Sequence, residues 1–157
     1  MRSETSGMQI IIVSDDAATV SSLQRALGQC GLVSISQFNH PAAALDWCTK
    51  DEPGLVLADY FMRAFDGLEF IRRFRALRGC GQIPLLLMHC AAARVIRPEA
   101  LQLGATDFLT LPFDLPALAA RTTNLLALRQ AQLQLRKRPW NTLDESGHPS
   151  CPPALLH

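Results

Sequence analysis

The chain has 157 residues, 48% of them hydrophobic, and a formal net charge of +1. This size and composition favour one domain with a real hydrophobic core, and the near-neutral charge gives no reason to expect nucleic-acid or membrane binding. Its five cysteines are scattered and form no CxxC pair, and no apolar run has the length of a signal peptide or a membrane span, which favours reduced thiols in the cytoplasm and argues against a zinc site.

Apolar runs alternate with helical patterns after a polar leader, residues 1–8, that we predict to be flexible. The run Ile10–Val13 predicts a first buried strand. A helix with one apolar stripe follows and ends near Gly31. Residues 33–37 predict a short second strand, and a second helix begins near Pro41, where a missing N–H has no cost.

The third strand is the central one. Leu55–Ala58 is continuously apolar and runs into Asp59, which is typical of a strand that is buried on both faces of a parallel sheet. Asp59 is therefore predicted at the carboxyl end of this strand, the edge where open α/β sheets bind their ligands. A third helix follows the turn at Asp66-Gly67, and we predict that its arginines form a solvated face: Arg72, Arg73, Arg75 and Arg78.

The second half of the chain repeats the alternation. Residues 83–88 predict a fourth strand, and a short fourth helix lies around 98–103, where Pro98 should push Arg97 out of the helical region. A fifth strand is predicted over 107–110, and a last helix from near Leu115 to about residue 137. Five strand–helix alternations predict a doubly wound parallel α/β sheet. The composition of residues 139–157 predicts a disordered tail.

Three carboxylates are predicted to meet where the strands end. Asp15 and Asp16 follow the first strand, and Asp59 ends the third. Like charges this close raise each other's pKa unless a cation is present. Oxygen ligands with open positions suit magnesium, and an aspartate beside the ion is a competent nucleophile for phosphoryl transfer. The alternative is that Asp15 or Asp16 merely caps the first helix.

Several motifs together resemble the receiver domain of bacterial two-component response regulators over about residues 8–130. They are Asp15-Asp16, Asp59 with Tyr60-Phe61-Met62, Asp66-Gly67-Leu68-Glu69, Gly104-Ala105, Asp107-Phe108 and Pro112-Phe113. The chain is most similar to receivers that precede cyclic-di-GMP phosphodiesterase domains of the HD-GYP type. The resemblance implies a flavodoxin-like (CheY-like) sheet of strand order 2-1-3-4-5. We expect a receiver domain at 9–130, with a helix extension and tail at 131–157.

The resemblance also implies the roles of the site residues. Asp59 would accept the phosphoryl group, and magnesium would be bound by Asp16 and Asp59, with Asp15 beside them, and by the backbone carbonyl of Phe61. Phe108 stands at the position of the switch aromatic. The implied partners are a histidine kinase or phosphotransfer protein, a downstream protein on the face of the fourth helix, fifth strand and fifth helix, and a second copy in a homodimer. A receiver is a signalling domain, so we do not expect an enzyme beyond phosphoryl transfer to and from Asp59.

Three positions depart from the family pattern. Leu111 replaces the lysine that neutralises the phosphoryl group, His89 stands at the Ser/Thr switch position, and Arg63 replaces a proline. One interpretation is a degenerate receiver that binds its partner without phosphorylation. Another is that Arg63 or a protonated His89 replaces the missing cation. An unrelated enzyme on this sheet has little support, because the chain has no glycine-rich phosphate loop.

Overall fold

The computed structural model describes residues 8–32 and 34–137. The predictions for most of the leader (1–7), for the start of the second strand (Val33) and for the tail (138–157) lie outside the described residues. Helices and strands follow one another in the order β1 Ile10–Val13, α1 Ala17–Gln29, β2 Ile35–Phe38, α2 Pro41–Cys48, β3 Leu55–Asp59, α3 Gly67–Ala76, β4 Leu85–Cys90, a 3₁₀ helix Ala91–Ile96, α4 Arg97–Leu103, β5 Asp107–Leu111 and α5 Leu115–Lys137.

The five strands form one parallel sheet of order β2-β1-β3-β4-β5, which confirms the predicted topology. The register places Val13 beside Ala58, Asp59 beside Met88 and Cys90 beside Leu111. The carboxyl ends of β1, β3, β4 and β5 consequently lie next to one another at one edge of the sheet. That edge holds the residues from which the sequence predicts a functional site.

The core has a layer on each face of the sheet. Val56 and Ala58 of β3 face one layer, which includes Phe70 and Phe74 of α3. The alternate residues of β3 face the other layer, built mainly from α1 and α5. Every residue of β3 is buried, as expected of a central parallel strand with helices on both sides. This burial on both faces places Asp59 at the end of a strand that lies wholly in the core.

Arg75 corrects the prediction of a solvated arginine face. Its guanidinium donates hydrogen bonds to the carbonyl oxygens of Gly104 (3.0 and 2.7 Å), Cys80 (2.7 Å) and Ile83 (2.7 Å). Gly104 ends α4 with φ of 117°, and a Cβ there would lie 2.8 Å from the Arg75 side chain. Arg75 therefore joins α3 to two loops, because only a long cation reaches carbonyls on both. Arg72, Arg73 and Arg78 are exposed, as predicted.

Arg97 corrects a second prediction. It adopts right-handed helical angles (φ −56°, ψ −45°) directly before Pro98, although a following proline disfavours them. The Arg97 guanidinium donates to His89 Nε2 at 2.9 Å and to Thr110 Oγ1 at 3.1 Å. We attribute the helical angles of Arg97 to these two hydrogen bonds, which act against the preference for extended backbone that Pro98 imposes on the residue before it. Pro98 then lies in the first turn of α4, where its missing N–H is tolerated.

The last helix, α5, occupies the 23 residues Leu115–Lys137, up to the last residue that the structure describes. Its second half is held against the edge where the strands begin. The buried Arg129 pairs with Glu52 at 2.9 Å, and Gln132 donates to the carbonyl of Gln82 at 2.9 Å. Within residues 8–32 and 34–137, we find no helix that combines the length and apolarity needed to cross a membrane.

Candidate functional site

The carboxylate of Asp59 is held at the carboxyl end of β3. It is 6% exposed. Its Oδ2 accepts a hydrogen bond from the Ser14 hydroxyl at 3.0 Å, and its Oδ1 accepts one from the backbone N–H of Phe61 at 3.2 Å. One donor comes from the end of β1 and the other from the loop after β3. The carboxylate is therefore oriented from both sides while its outer edge opens on a cleft.

Ser14 is a site residue that the sequence reasoning missed. It is 1% exposed, and its hydroxyl also accepts a hydrogen bond from the N–H of Asp16 at 3.1 Å. The register of the sheet explains the contact: because Val13 lies beside Ala58, Ser14 and Asp59 follow on neighbouring strands. The sequence does not show this register, so its patterns did not point to Ser14.

The two aspartates after β1 have different roles. Asp16 caps α1: its Oδ1 accepts from the N–H of Ala18 at 3.3 Å, and its Oδ2 accepts from the Thr19 hydroxyl at 2.6 Å. The Thr19 hydrogen bond is the main reason why the pKa of Asp16 is lowered. The capping alternative therefore describes Asp16 correctly.

Asp15 belongs to the site in another way. Its Oδ2 accepts a hydrogen bond from the backbone N–H of Arg63 at 2.7 Å, which joins the loop after β1 to the loop after β3. In the part of the chain that the structure describes, no three His, Cys, Asp or Glu side chains converge on one metal position. Asp15 and Asp16 nevertheless lie near enough to Asp59 for their negative charges to act on it, and the magnesium site stays a prediction.

Burial makes the ionised form of Asp59 costly. It raises the pKa of this carboxyl above its ordinary value of 3.8, and the negative charges of Asp15 and Asp16 raise it further. The hydrogen bonds from Ser14 and Phe61 oppose the shift but do not cancel it. The folded protein therefore holds a carboxylate whose ionised form a nearby cation would stabilise.

We expect Asp59→Asn to stabilise the fold by about 1 kcal/mol at pH 7 without divalent cations. A carboxyl whose pKa is raised on folding contributes full stability below its unfolded pKa and loses it as the pH rises through the folded value. The advantage of the variant should therefore vanish below the ordinary carboxyl pKa of 3.8. Urea unfolding at pH 7 and at a pH below 3.8 measures the difference in stability between the variant and the wild type. Asp46→Asn, which changes an exposed carboxylate, is the matched control. A variant advantage that persists in acid would contradict it.

A cleft of about 630 Å³ opens over Asp59. We call it the Asp59 cleft. None of its ten lining side chains is basic, and the wall formed by β5 and the loop after it is apolar. The lining residues are Asp16, Ala18, Thr19, Ser22, Asp59, Phe61, Cys90, Leu111, Pro112 and Phe113. Leu111 thus gives the cleft an apolar surface where the family pattern has a cation.

His89 does not line this cleft, and Cys90 is the β4 residue that does. The ring of His89 is fully buried, with Nδ1 2.7 Å from the carbonyl oxygen of Cys90 and Nε2 accepting from Arg97 at 2.9 Å. Nδ1 must carry a proton to bond a carbonyl, and Nε2 must lack one to accept from a guanidinium. Both ring nitrogens are thus occupied by partners outside the Asp59 site. None of these contacts supports the hypothesis that His89 serves as the missing cation, which stays a prediction.

Arg97 and Phe108 complete a cluster around His89. The Phe108 ring lies edge-on to the His89 ring at 6.0 Å, and the guanidinium of Arg97 lies 5.0 Å from the Phe108 ring centre. Arg97 also bonds Thr110, so one side chain contacts β4 and β5 together. No pattern in the sequence pointed to Arg97. The role of Phe108 as a switch aromatic stays a prediction.

Arg63 is placed at the other side of the site. Its backbone bonds Asp15, and the residue lines a separate pocket of about 500 Å³ together with Asp15 and His40. No ion pair joins its exposed side chain to Asp59 among the described residues. Its role as a replacement cation stays a prediction that none of its observed contacts supports.

Comparison with known proteins gives a consistent result. Residues 10–123 match the model of the response regulator receiver domain. The chain is 36% identical over 133 residues to the cyclic di-GMP phosphodiesterase response regulator RpfG of Xanthomonas campestris pv. campestris, covering 84% of this chain and 35% of RpfG. It is also 36% identical over 120 residues to the response regulator MprA of Mycobacterium tuberculosis, covering 76% and 50%. The chain thus spans half or less of the length of these relatives.

Solved structures show the same fold at low sequence identity. Chemotaxis response regulator CheY4 of Vibrio cholerae superposes with a TM-score of 0.69 and 19% identity, covering 75% of this chain and 98% of CheY4. The receiver domain of NtrX from Brucella abortus gives a TM-score of 0.70 and 20% identity, covering 76% and 98%. At these sequence identities, the structural similarity is evidence for the fold alone.

Proposed function

Because the chain belongs to the response regulator receiver family of two-component systems, we propose that Asp59 is its phospho-acceptor. The observation that carries the proposal is a carboxylate at the end of the central strand, held by Ser14 and Phe61 and open to a cleft. An Asp59 oxygen attacks the phosphorus of a phosphohistidine, the P–N bond breaks, and the imidazole leaves with a proton. The donor is a histidine kinase or a phosphotransfer protein.

Magnesium is the cation that we propose for this site. Asp15, Asp59 and the backbone carbonyl of Phe61 are hard oxygen ligands, and magnesium needs only one or two carboxylates when it keeps its waters. The pKa of Asp59, raised by burial and then by like charges, is the observation that fits a nearby cation. Bound magnesium supplies positive charge to the phosphoryl oxygens. Asp16 is left out of this set because both of its oxygens serve the cap of α1.

Output by protein binding completes the proposal. A receiver transmits its state through contacts, and we place the downstream partner on the face formed by α4, β5 and α5, where Leu101 of α4 is an exposed apolar side chain. The free thiols Cys30, Cys48, Cys80 and Cys90 support a reducing, cytoplasmic compartment. The homodimer stays a prediction. The phosphodiesterase in the name of RpfG belongs to that protein, and the aligned part is 35% of its length.

Acetyl phosphate with magnesium tests the proposal. We expect intact-mass analysis of the whole chain to show one added phosphoryl group, which Asp59→Asn abolishes. The matched variant Asp46→Asn removes an exposed carboxylate from α2 and should keep the modification. The proposal is wrong if the wild-type chain stays unmodified under conditions that modify a control receiver, or if Asp59→Asn is modified as well as the wild type.

A further inference from the structure

The Asp59 cleft combines two surfaces of different chemistry. Its floor is acidic, because Asp59 and Asp16 line it. Its wall is apolar and consists of Leu111, Pro112 and Phe113. A cleft with this pattern complements a side chain that has an apolar stem and a positive end.

The rest of the structure does not supply that positive end. None of the lining side chains is basic. Arg97 is committed to His89 and Thr110 on the far side of β4 and β5, and Arg63 contacts the site through its backbone N–H. The need for positive charge grows when Asp59 is modified, since a phosphoryl group carries more negative charge than the carboxylate that it replaces.

The rim of the cleft is suited to contact with a protein. Phe61, at the mouth, is 59% exposed although it is a large apolar residue. An aromatic face attracts a cation that passes over it, and arginine or lysine can lie with its methylene stem on apolar surface while the charged end reaches an acid. The cleft, of about 630 Å³, has room for such a side chain and for an apolar neighbour.

We propose that the Asp59 cleft receives an arginine or lysine, flanked by apolar residues, from a partner protein. Its stem lies along Leu111 and Phe113, and its charge lies against Asp59. This second positive charge acts beside the proposed magnesium and is supplied in trans, so the charge of the site is complete only in the complex. The effect on phosphorylation rests on the proposed function, whereas the binding of the cationic segment does not.

A short peptide is the direct probe of binding. We would titrate the ¹⁵N-labelled full chain with acetyl-Leu-Arg-Leu-amide and, as the neutral control, with acetyl-Leu-Gln-Leu-amide. We expect the arginine peptide to shift the amide signals of Phe61, Cys90 and Phe113, and to bind at least about tenfold more tightly than the glutamine peptide, as expected for a partly desolvated charge pair. Equal affinities, or shifts confined to other surfaces, overturn the proposal.

Two lysine variants locate the site. Leu111→Lys places a cation in the cleft. It should lower the affinity of the arginine peptide at least about tenfold, because the lysine repels the arginine and fills the space. Leu135→Lys adds the same charge to an exposed leucine near the far end of α5, about 30 Å along the helix from Leu115, and should leave binding unchanged. If both variants weaken the peptide equally, or if magnesium alone displaces it, the in-trans cation is wrong.

Phosphorylation separates this inference from the proposed function. In acetyl phosphate and magnesium, the arginine peptide should raise the phosphorylated fraction of the wild-type chain, and Leu111→Lys should raise it without peptide. Peptide binding without any phosphorylation would overturn the phospho-acceptor proposal and uphold the binding site. Phosphorylation that proceeds without peptide binding would uphold the acceptor and overturn the binding site.

Discussion

Arg75→Ala is expected to lower the free energy of unfolding by about 3 kcal/mol. The guanidinium donates four hydrogen bonds to the carbonyl oxygens of Cys80, Ile83 and Gly104. Bonds from a charged donor are stronger than neutral ones, and alanine leaves the carbonyls without these donors. Burial lowers the pKa of Arg75, which shows that the cation is held away from water. Urea unfolding of the whole chain measures the loss.

Arg72→Ala is the matched control, because it removes the same side chain from the same helix at an exposed position, paired only with Glu69. An exposed pair of this kind contributes little to stability because solvent screens it, so Arg72→Ala should lower the free energy of unfolding much less than Arg75→Ala. Arg75→Lys should fall between wild type and Arg75→Ala, since one ammonium cannot reach carbonyls on both loops. If Arg72→Ala and Arg75→Ala lower the free energy of unfolding equally, the bridging role assigned to Arg75 is wrong.

The second large effect is expected at Glu52, the ion partner of Arg129. Glu52→Gln should lower the free energy of unfolding by about 2 kcal/mol, because it leaves a buried guanidinium without its counter-charge. Arg129 is 3% exposed and pairs with Glu52 at 2.9 Å. The Glu52 side chain is 41% exposed, so solvent reduces the effect below that of a fully buried pair.

Hydrogen exchange gives this prediction a local readout. Glu52 also pairs with Arg136 at 3.0 Å, so Glu52→Gln should speed amide exchange in the second half of α5 more than in the first half. Glu99→Gln, an exposed glutamate on α4, is the control and should change neither stability nor exchange. If Glu52→Gln speeds amide exchange equally in the two halves of α5, the ion pair does not anchor the second half of the helix.

The predictable part of the site is the part that follows from local patterns. The apolar run Leu55–Ala58 and the alternation around it place Asp59 at the end of a central strand, and the structure agrees. The roles of the neighbouring Asp15 and Asp16 were harder to predict, because two adjacent identical side chains project in different directions and contact different groups. Asp16 turns to the first turn of α1, and Ser14, which carries no charge, contacts Asp59.

The alternation of strands and helices, the last helix up to about Lys137 and the position of Asp59 could be read from the sequence itself, whereas the strand order 2-1-3-4-5 was implied by the resemblance to the receiver family. The first three follow from hydrophobic periodicity and from helix-start and helix-end residues, which act over a few positions. The tertiary structure alone decided that the half-buried Arg75 donates to loop carbonyls, that His89 accepts from Arg97 and that Arg129 pairs with Glu52, 77 positions away. The physical reason is that a polar side chain looks alike in sequence whether it is solvated or buried, and only long-range packing brings its partner within hydrogen-bond distance.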